Sequence, residues 1–149
     1  RIGDVHMVNC YLGRDWIDVQ RGIWRTDPDL SGGGQLYDSG SHLLDAALWT
    51  TRADPVSIAA VTDDRGEGVD VNSALAATLD RDGARITASI GVSADGDTGS
   101  PEEGMAVWGT GEATTPRCCT WRSGSSSSAS EPSWRASSMN WDRLSSSPA

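Results

Sequence analysis

Lysine and phenylalanine are both missing from the 149 residues, so all 12 basic side chains are arginine, set against 21 Asp and Glu for a net charge of -9. An acid surplus of this size excludes the usual nucleic-acid-binding protein, whose affinity comes from Lys and Arg clustered against phosphates. It also disfavours docking on anionic lipid. Two compatible origins account for the missing lysine: a GC-rich gene, and a halophilic, high-salt cytoplasm in which an Asp-rich surface stays solvated. No run of about 18 apolar residues exists, which excludes a membrane-spanning helix, and no signal-peptide pattern is visible. Cysteine is scarce, with only Cys10, Cys118 and Cys119. An odd count with two adjacent members makes neither a disulfide framework nor the spaced Cys/His pairs of a zinc site. A reducing, cytoplasmic setting is the expectation.

What is present suffices for a packed core: 37% hydrophobic residues and 17 glycines, within the range of globular domains. The character of the chain changes near Thr114. Residues 1–114 carry 19 acids and 8 Arg, whereas residues 115–149 carry 2 acids and 4 Arg and are rich in Ser and Trp. We read 1–113 as the domain and 114–149 as a tail that is either disordered or the product of a frameshift near 112–117.

Within the domain the pattern is α+β. Residues 2–12 read as a strand with Val5, Met7 and Tyr11 on one face. Residues 16–24 are either a second strand or an irregular approach to Trp24. Asp27-Pro28-Asp29 and Ser31 to Gly34 are turn and loop signals. Over 35–50, Leu36, Gly40, Leu43, Leu44, Ala47 and Leu48 recur at helical spacing and form a buried stripe. Strands follow at 56–62, at 69–80 (Val69, Val71, Leu75, Ala77 and Leu79 on one face) and at 84–92. The last of these alternates Ala84, Ile86, Ala88, Ile90 and Val92 inward against Arg85, Thr87 and Ser89 outward. Asp80 to Gly83 is a hairpin turn in which Gly83 takes positive φ. Residues 95–104 form a polar loop, and 105–110 a last strand. One helix followed by antiparallel strands predicts an open, mostly antiparallel sheet with a helix packed on one face, incomplete at its C-terminal end.

The chemistry is concentrated between Trp24 and Trp49. On a helix, Asp38, His42, Asp45 and Trp49 share one face opposite the leucine stripe. The Asp38 carboxylate can then reach the His42 imidazole four residues on, an arrangement suited to a general base. The preceding glycines leave backbone N–H groups at a helix N-terminus, where an anion could bind. A polar pair at this spacing is most often no more than a solvated helix face. Asp38, His42 and Asp45 as metal ligands would make a poor closed site, all three coming from one helix. No G-x-G-x-x-G follows a strand, so no dinucleotide fingerprint is present.

The run Trp24-Arg25, Asp27-Pro28, Gly32-Gly33-Gly34, Leu36, Asp38, Gly40, His42 and Asp45 resembles the second domain of the Gfo/Idh/MocA family of NAD(P)-dependent oxidoreductases. A looser likeness continues through Pro55–Val61, through Val69-Asp70 (where Val71 replaces a second Asp), and through Trp108-Gly109-Thr110. The resemblance implies a substrate-binding and oligomerisation domain working with a Rossmann domain that would hold NAD or NADP. It implies hydride transfer at a hydroxyl carbon of a sugar or polyol, His42 as catalytic base, Asp38 binding substrate or orienting His42, and Arg25 as a further substrate or structural contact. The family's glycine-rich Rossmann turn and its catalytic lysine have no counterpart here. The expectation is therefore a fragment, with no cofactor bound and no turnover by this chain alone, whose partners are a sugar-like molecule, the missing Rossmann domain and a second copy through the open sheet. The competing expectation is a non-catalytic sheet domain for dimerisation or binding.

Overall fold

The computed structural model describes residues 2–96, 102–111 and 117–123, the last as backbone alone. Six strands form one sheet in the order β2-β3-β4-β1-β5-β6. They are β1 (Val5–Gly13), β2 (Asp54–Asp63), β3 (Asn72–Arg81), β4 (Ala84–Ser93), β5 (Glu102–Gly109) and β6 (Arg117–Ser123). Every neighbouring pair is antiparallel except β1 with β4, which run parallel from Met7↔Thr87 to Gly13↔Ser93. The helices are α1 (Trp16–Gln20), α2 (Pro28–Ser31) and α3 (Ser41–Thr51). A single 3₁₀ turn covers Trp24–Thr26, and a π-helical turn, Leu36–Gly40, leads into α3.

The sheet buries one face under α3, as the open α+β architecture requires. Val8, Cys10 and Leu12 of β1, Leu75 and Leu79 of β3, Ile86, Ile90 and Val92 of β4, and Met105 and Val107 of β5 meet Leu43 and Ala47 of α3 in one core. The helical stripe is as expected: Leu36, Leu44 and Leu48 pack against this core, while Gly40, Leu43 and Ala47 are buried. A Cβ on Gly40 would come within 2.9 Å of Leu36 and 3.2 Å of Val92, so the absent side chain is what lets the π turn sit on β4. The β4 alternation also holds from Ile86 to Val92, although Ala84 lies exposed at the strand end. Asp82 and Gly83 both take positive φ between β3 and β4, and Asp80 accepts from the Gly83 N–H at 3.0 Å, the two-residue hairpin its residues predict.

Three expectations change. Both faces of β1 carry apolar residues, and the core takes Val8, Cys10 and Leu12 rather than the set containing Met7 and Tyr11, because theirs is the face that α3 covers with Leu43 and Ala47. Residues 16–24 are not a strand: the Trp16 and Ile17 N–H groups both donate to the Ala94 carbonyl, at 2.8 and 3.0 Å, and the chain turns through α1. Val69 and Val71 precede β3 and instead join Trp16, Ile17 and Ala94 in a second small core. β2, at the sheet edge, is exposed along its whole length, Val56, Ile58 and Val61 included. At the opposite edge β6 pairs with β5 from Glu103↔Ser123 to Gly109↔Arg117. The remainder of the serine-rich tail, and residues 97–101 of the expected 95–104 loop, lie outside the described residues, while Glu102 to Gly104 belong to β5, which starts before the expected 105. Among the described residues, no helix is long and apolar enough to cross a membrane.

Cys10 is buried and free, and desolvation pushes its thiol up to about 11. It is an inert packing residue at neutral pH.

Candidate functional site

The glycine-rich turn is fixed from a distance. Asp70, just before β3, accepts from the Gly34 N–H at 2.6 Å and from the Leu36 N–H at 2.7 Å, while its own carbonyl accepts from the Gln35 N–H at 3.0 Å. The free N–H groups expected at this helix N-terminus are therefore already served by a carboxylate of the same chain, which satisfies the end dipole and the orphan donors together. Gly34 packs so closely on Asp70 that a Cβ would fall on that residue's backbone.

This matters for a dinucleotide. A pyrophosphate needs backbone N–H groups at a helix N-terminus, and the ones in the glycine-rich turn face Asp70. The described residues do not fit NAD or NADP at this turn. Among them, no group of three or more His, Cys, Asp or Glu is placed to hold a metal ion.

From the turn, the chain enters the π helix that carries Asp38. π turns are rare and recur at functional positions. Asp38 is about a third exposed, His42 and Asp45 are exposed, and all three project from the side of the helix away from the core, as their spacing predicts. Asp38 and His42 are not joined by a hydrogen bond. The Asp38 Oδ2 atom instead accepts from the Trp16 indole Nε1–H at 2.8 Å and from the Ser39 hydroxyl at 3.3 Å, and Oδ1 faces the Arg25 Nε at 3.5 Å. Trp16 is only 3% exposed, and a buried indole N–H without an acceptor is costly. That demand takes the carboxylate that the helix spacing alone would offer to His42.

Arg25 is brought to Asp38 by the 3₁₀ turn and lies over the Trp24 ring, its Cζ 4.6 Å from the ring centroid. A cation over an indole face is attracted by the ring quadrupole. The structure thus groups Arg25, Asp38 and His42 around the head of α3 and adds Trp16, which sequence reasoning missed. The signal was weak: Trp16 lies 22 residues before Asp38 in a segment that reads as either a strand or an irregular approach to Trp24. Replacing Trp16 by Phe keeps an aromatic side chain of smaller size and removes the donor. The expected loss is about 2–3 kcal/mol, read as a lowered urea midpoint at unchanged slope.

A family profile described as the GFO/IDH/MocA C-terminal domain matches residues 1–115. Solved structures share the fold at low sequence identity. An oxidoreductase from Sinorhizobium meliloti is 21% identical over 73% of this chain and 28% of its own, with a TM-score of 0.58. GenD2 from gentamicin A biosynthesis, solved in complex with NAD, is 20% identical over 80% of this chain and 32% of its own, with a TM-score of 0.60. The WlbA dehydrogenase from Bordetella pertussis, in complex with NADH and UDP-GlcNAcA, is 22% identical over 72% of this chain and 32% of its own, with a TM-score of 0.56. The chain spans about a third or less of the length of these structures. No curated protein matches. With the glycine-Asp-His turn, the open sheet and the profile match in agreement, the chain belongs to the Gfo/Idh/MocA oxidoreductase family, as its C-terminal domain.

Proposed function

We propose that this chain is the substrate side of a cytoplasmic dehydrogenase acting on a sugar or polyol hydroxyl, with His42 as the base. The observation that carries the reading is the head of α3, where an exposed His42 stands one turn beyond an Asp38 already fixed by Trp16 and Arg25. In the full-length protein NAD or NADP supplies the hydride acceptor, held by a Rossmann domain outside this chain. His42 orients the reacting hydroxyl and takes up its proton, a role suited to imidazole near neutral pH. Asp38 acts on substrate through Arg25, and its fixed carboxylate keeps the helix head in register. The open face of the sheet, with Ala74, Ala76, Thr87, Ser89 and Ala106 across its middle, is assigned to a second copy of the chain.

The test is to mix this chain with the separately expressed Rossmann half of its full-length protein and follow NAD(P)H at 340 nm against a panel of sugars and polyols. Turnover that needs both halves supports the reading. A sheet-mediated dimer in sedimentation velocity with no turnover on any substrate favours the non-catalytic alternative, in which the Asp38 contacts are purely structural.

A further inference from the structure

Arg21 and Arg25 use the guanidinium in opposite ways. Arg21 turns its fork onto carboxylates: Nη1 reaches both oxygens of Glu67, at 2.9 and 2.8 Å, and Nη2 reaches Asp18 at 3.0 Å. This is the strong, bidentate use of arginine in an ion pair. Arg25 faces Asp38 only through Nε, at 3.5 Å, with its Cζ held over the Trp24 ring. Neither terminal nitrogen of Arg25 donates to any described residue. An arginine serving only as a brace for Asp38 would present its fork, as Arg21 does. Here the stem is held beside Asp38 at the head of α3 and the fork is left over, on a side chain 37% exposed.

We propose that Arg25 reads a carboxylate on the substrate, so that the site takes a sugar acid in preference to a neutral sugar. The inference deepens the sugar reading above and rests on it. A planar carboxylate matches the guanidinium fork with two parallel hydrogen bonds. The Trp24 ring and the Nε contact hold the side chain in place, so less of its entropy is lost on binding. Charge selects the carboxylate over a phosphate ester. Asp27, Asp29, Asp38 and Asp45 all lie on the same stretch as Arg25, in a chain of net charge -9, and repulsion from them grows with the charge of the ligand. A monoanion is tolerated where a dianion is opposed.

The experiment titrates this chain at low ionic strength with glucuronate, glucose and glucose 6-phosphate, followed by NMR. The chains compared are the wild type, Arg25→Met and Arg25→Lys, each checked by circular dichroism. Glucuronate should bind about tenfold more tightly than glucose, with glucose 6-phosphate gaining less, because the hydrogen bonds from the guanidinium to a carboxylate are charge-assisted. Arg25→Met should abolish the preference of glucuronate over glucose, and Arg25→Lys should keep only part of it. Equal affinities in the wild type, a preference that survives in Arg25→Met, or a stronger gain for the phosphate ester would each overturn the proposal. Glucose binding at the helix head without acid preference overturns it while the sugar reading stands, whereas absence of binding by all three removes both. The wild-type comparison and Arg25→Lys decide the matter should Arg25→Met not fold.

Discussion

Gly34→Ala should cost the domain about 3–5 kcal/mol, a fall in Tm on the order of 10–20 °C, from the addition of one methyl group. A Cβ at this position would lie 2.7 Å from the Asp70 amide nitrogen and 2.8 Å from its carbonyl carbon, with the carbonyl oxygen closer still. These are backbone atoms, so no flexible side chain can swing aside. Relief requires the turn to lift from Asp70, and three hydrogen bonds leave together: those from Gly34, Gln35 and Leu36. Gly13→Ala is the control, since a Cβ there meets nothing within 4 Å. Asp70→Ala removes two of the same three bonds without the clash and should cost about 2–3 kcal/mol. Because both substitutions act through one contact, the double variant should fall well short of the sum. Additive losses in thermal melts would mean that the turn is held by something other than Asp70.

The same contact marks the boundary of what a sequence can disclose. The α3 stripe was legible because six apolar or small residues repeat at helical spacing, and β4 because Ile86 to Val92 alternate over a half-buried face. Both patterns are written within a dozen residues. The glycines, Asp38 and His42 were legible for another reason: their joint spacing resembles a known family pattern, and the profile match bears the family out. What escaped was non-local. Asp70 meets Gly34 across a gap of 36 residues and reads in sequence as the opening of a strand. α1 carries a strand-like composition and becomes helical because Ala94 accepts its first N–H groups. The parallel pairing of β1 with β4 depends on the order in which strands assemble, which no local period records. The destination of the Asp38 carboxylate belongs to the same class: helix spacing offers His42, and tertiary structure delivers Trp16.

That redirection separates the two catalytic candidates in the assembled enzyme. His42→Ala should lower kcat/KM by about 10²–10⁴-fold, the range for loss of a general base. It should leave the melting temperature within a degree or two, because His42 is exposed and bonded to no described residue. Asp38→Asn should do both kinds of damage. The amide keeps an oxygen for the Trp16 indole but brings an N–H₂ group toward the Arg25 Nε and gives up the charge that balances the guanidinium. Stability should fall by about 1–2 kcal/mol. KM should rise more than kcat falls, since the displaced part is Arg25, which we propose as a binding group rather than the base. If Asp38 instead acted mainly by orienting His42, the two variants would show the same kcat defect and Asp38→Asn would melt like the wild type. Stability and turnover therefore have to be measured on the same preparations. A histidine that matters only to rate and an aspartate that matters to both is the pattern that the Trp16–Asp38–Arg25 contacts require.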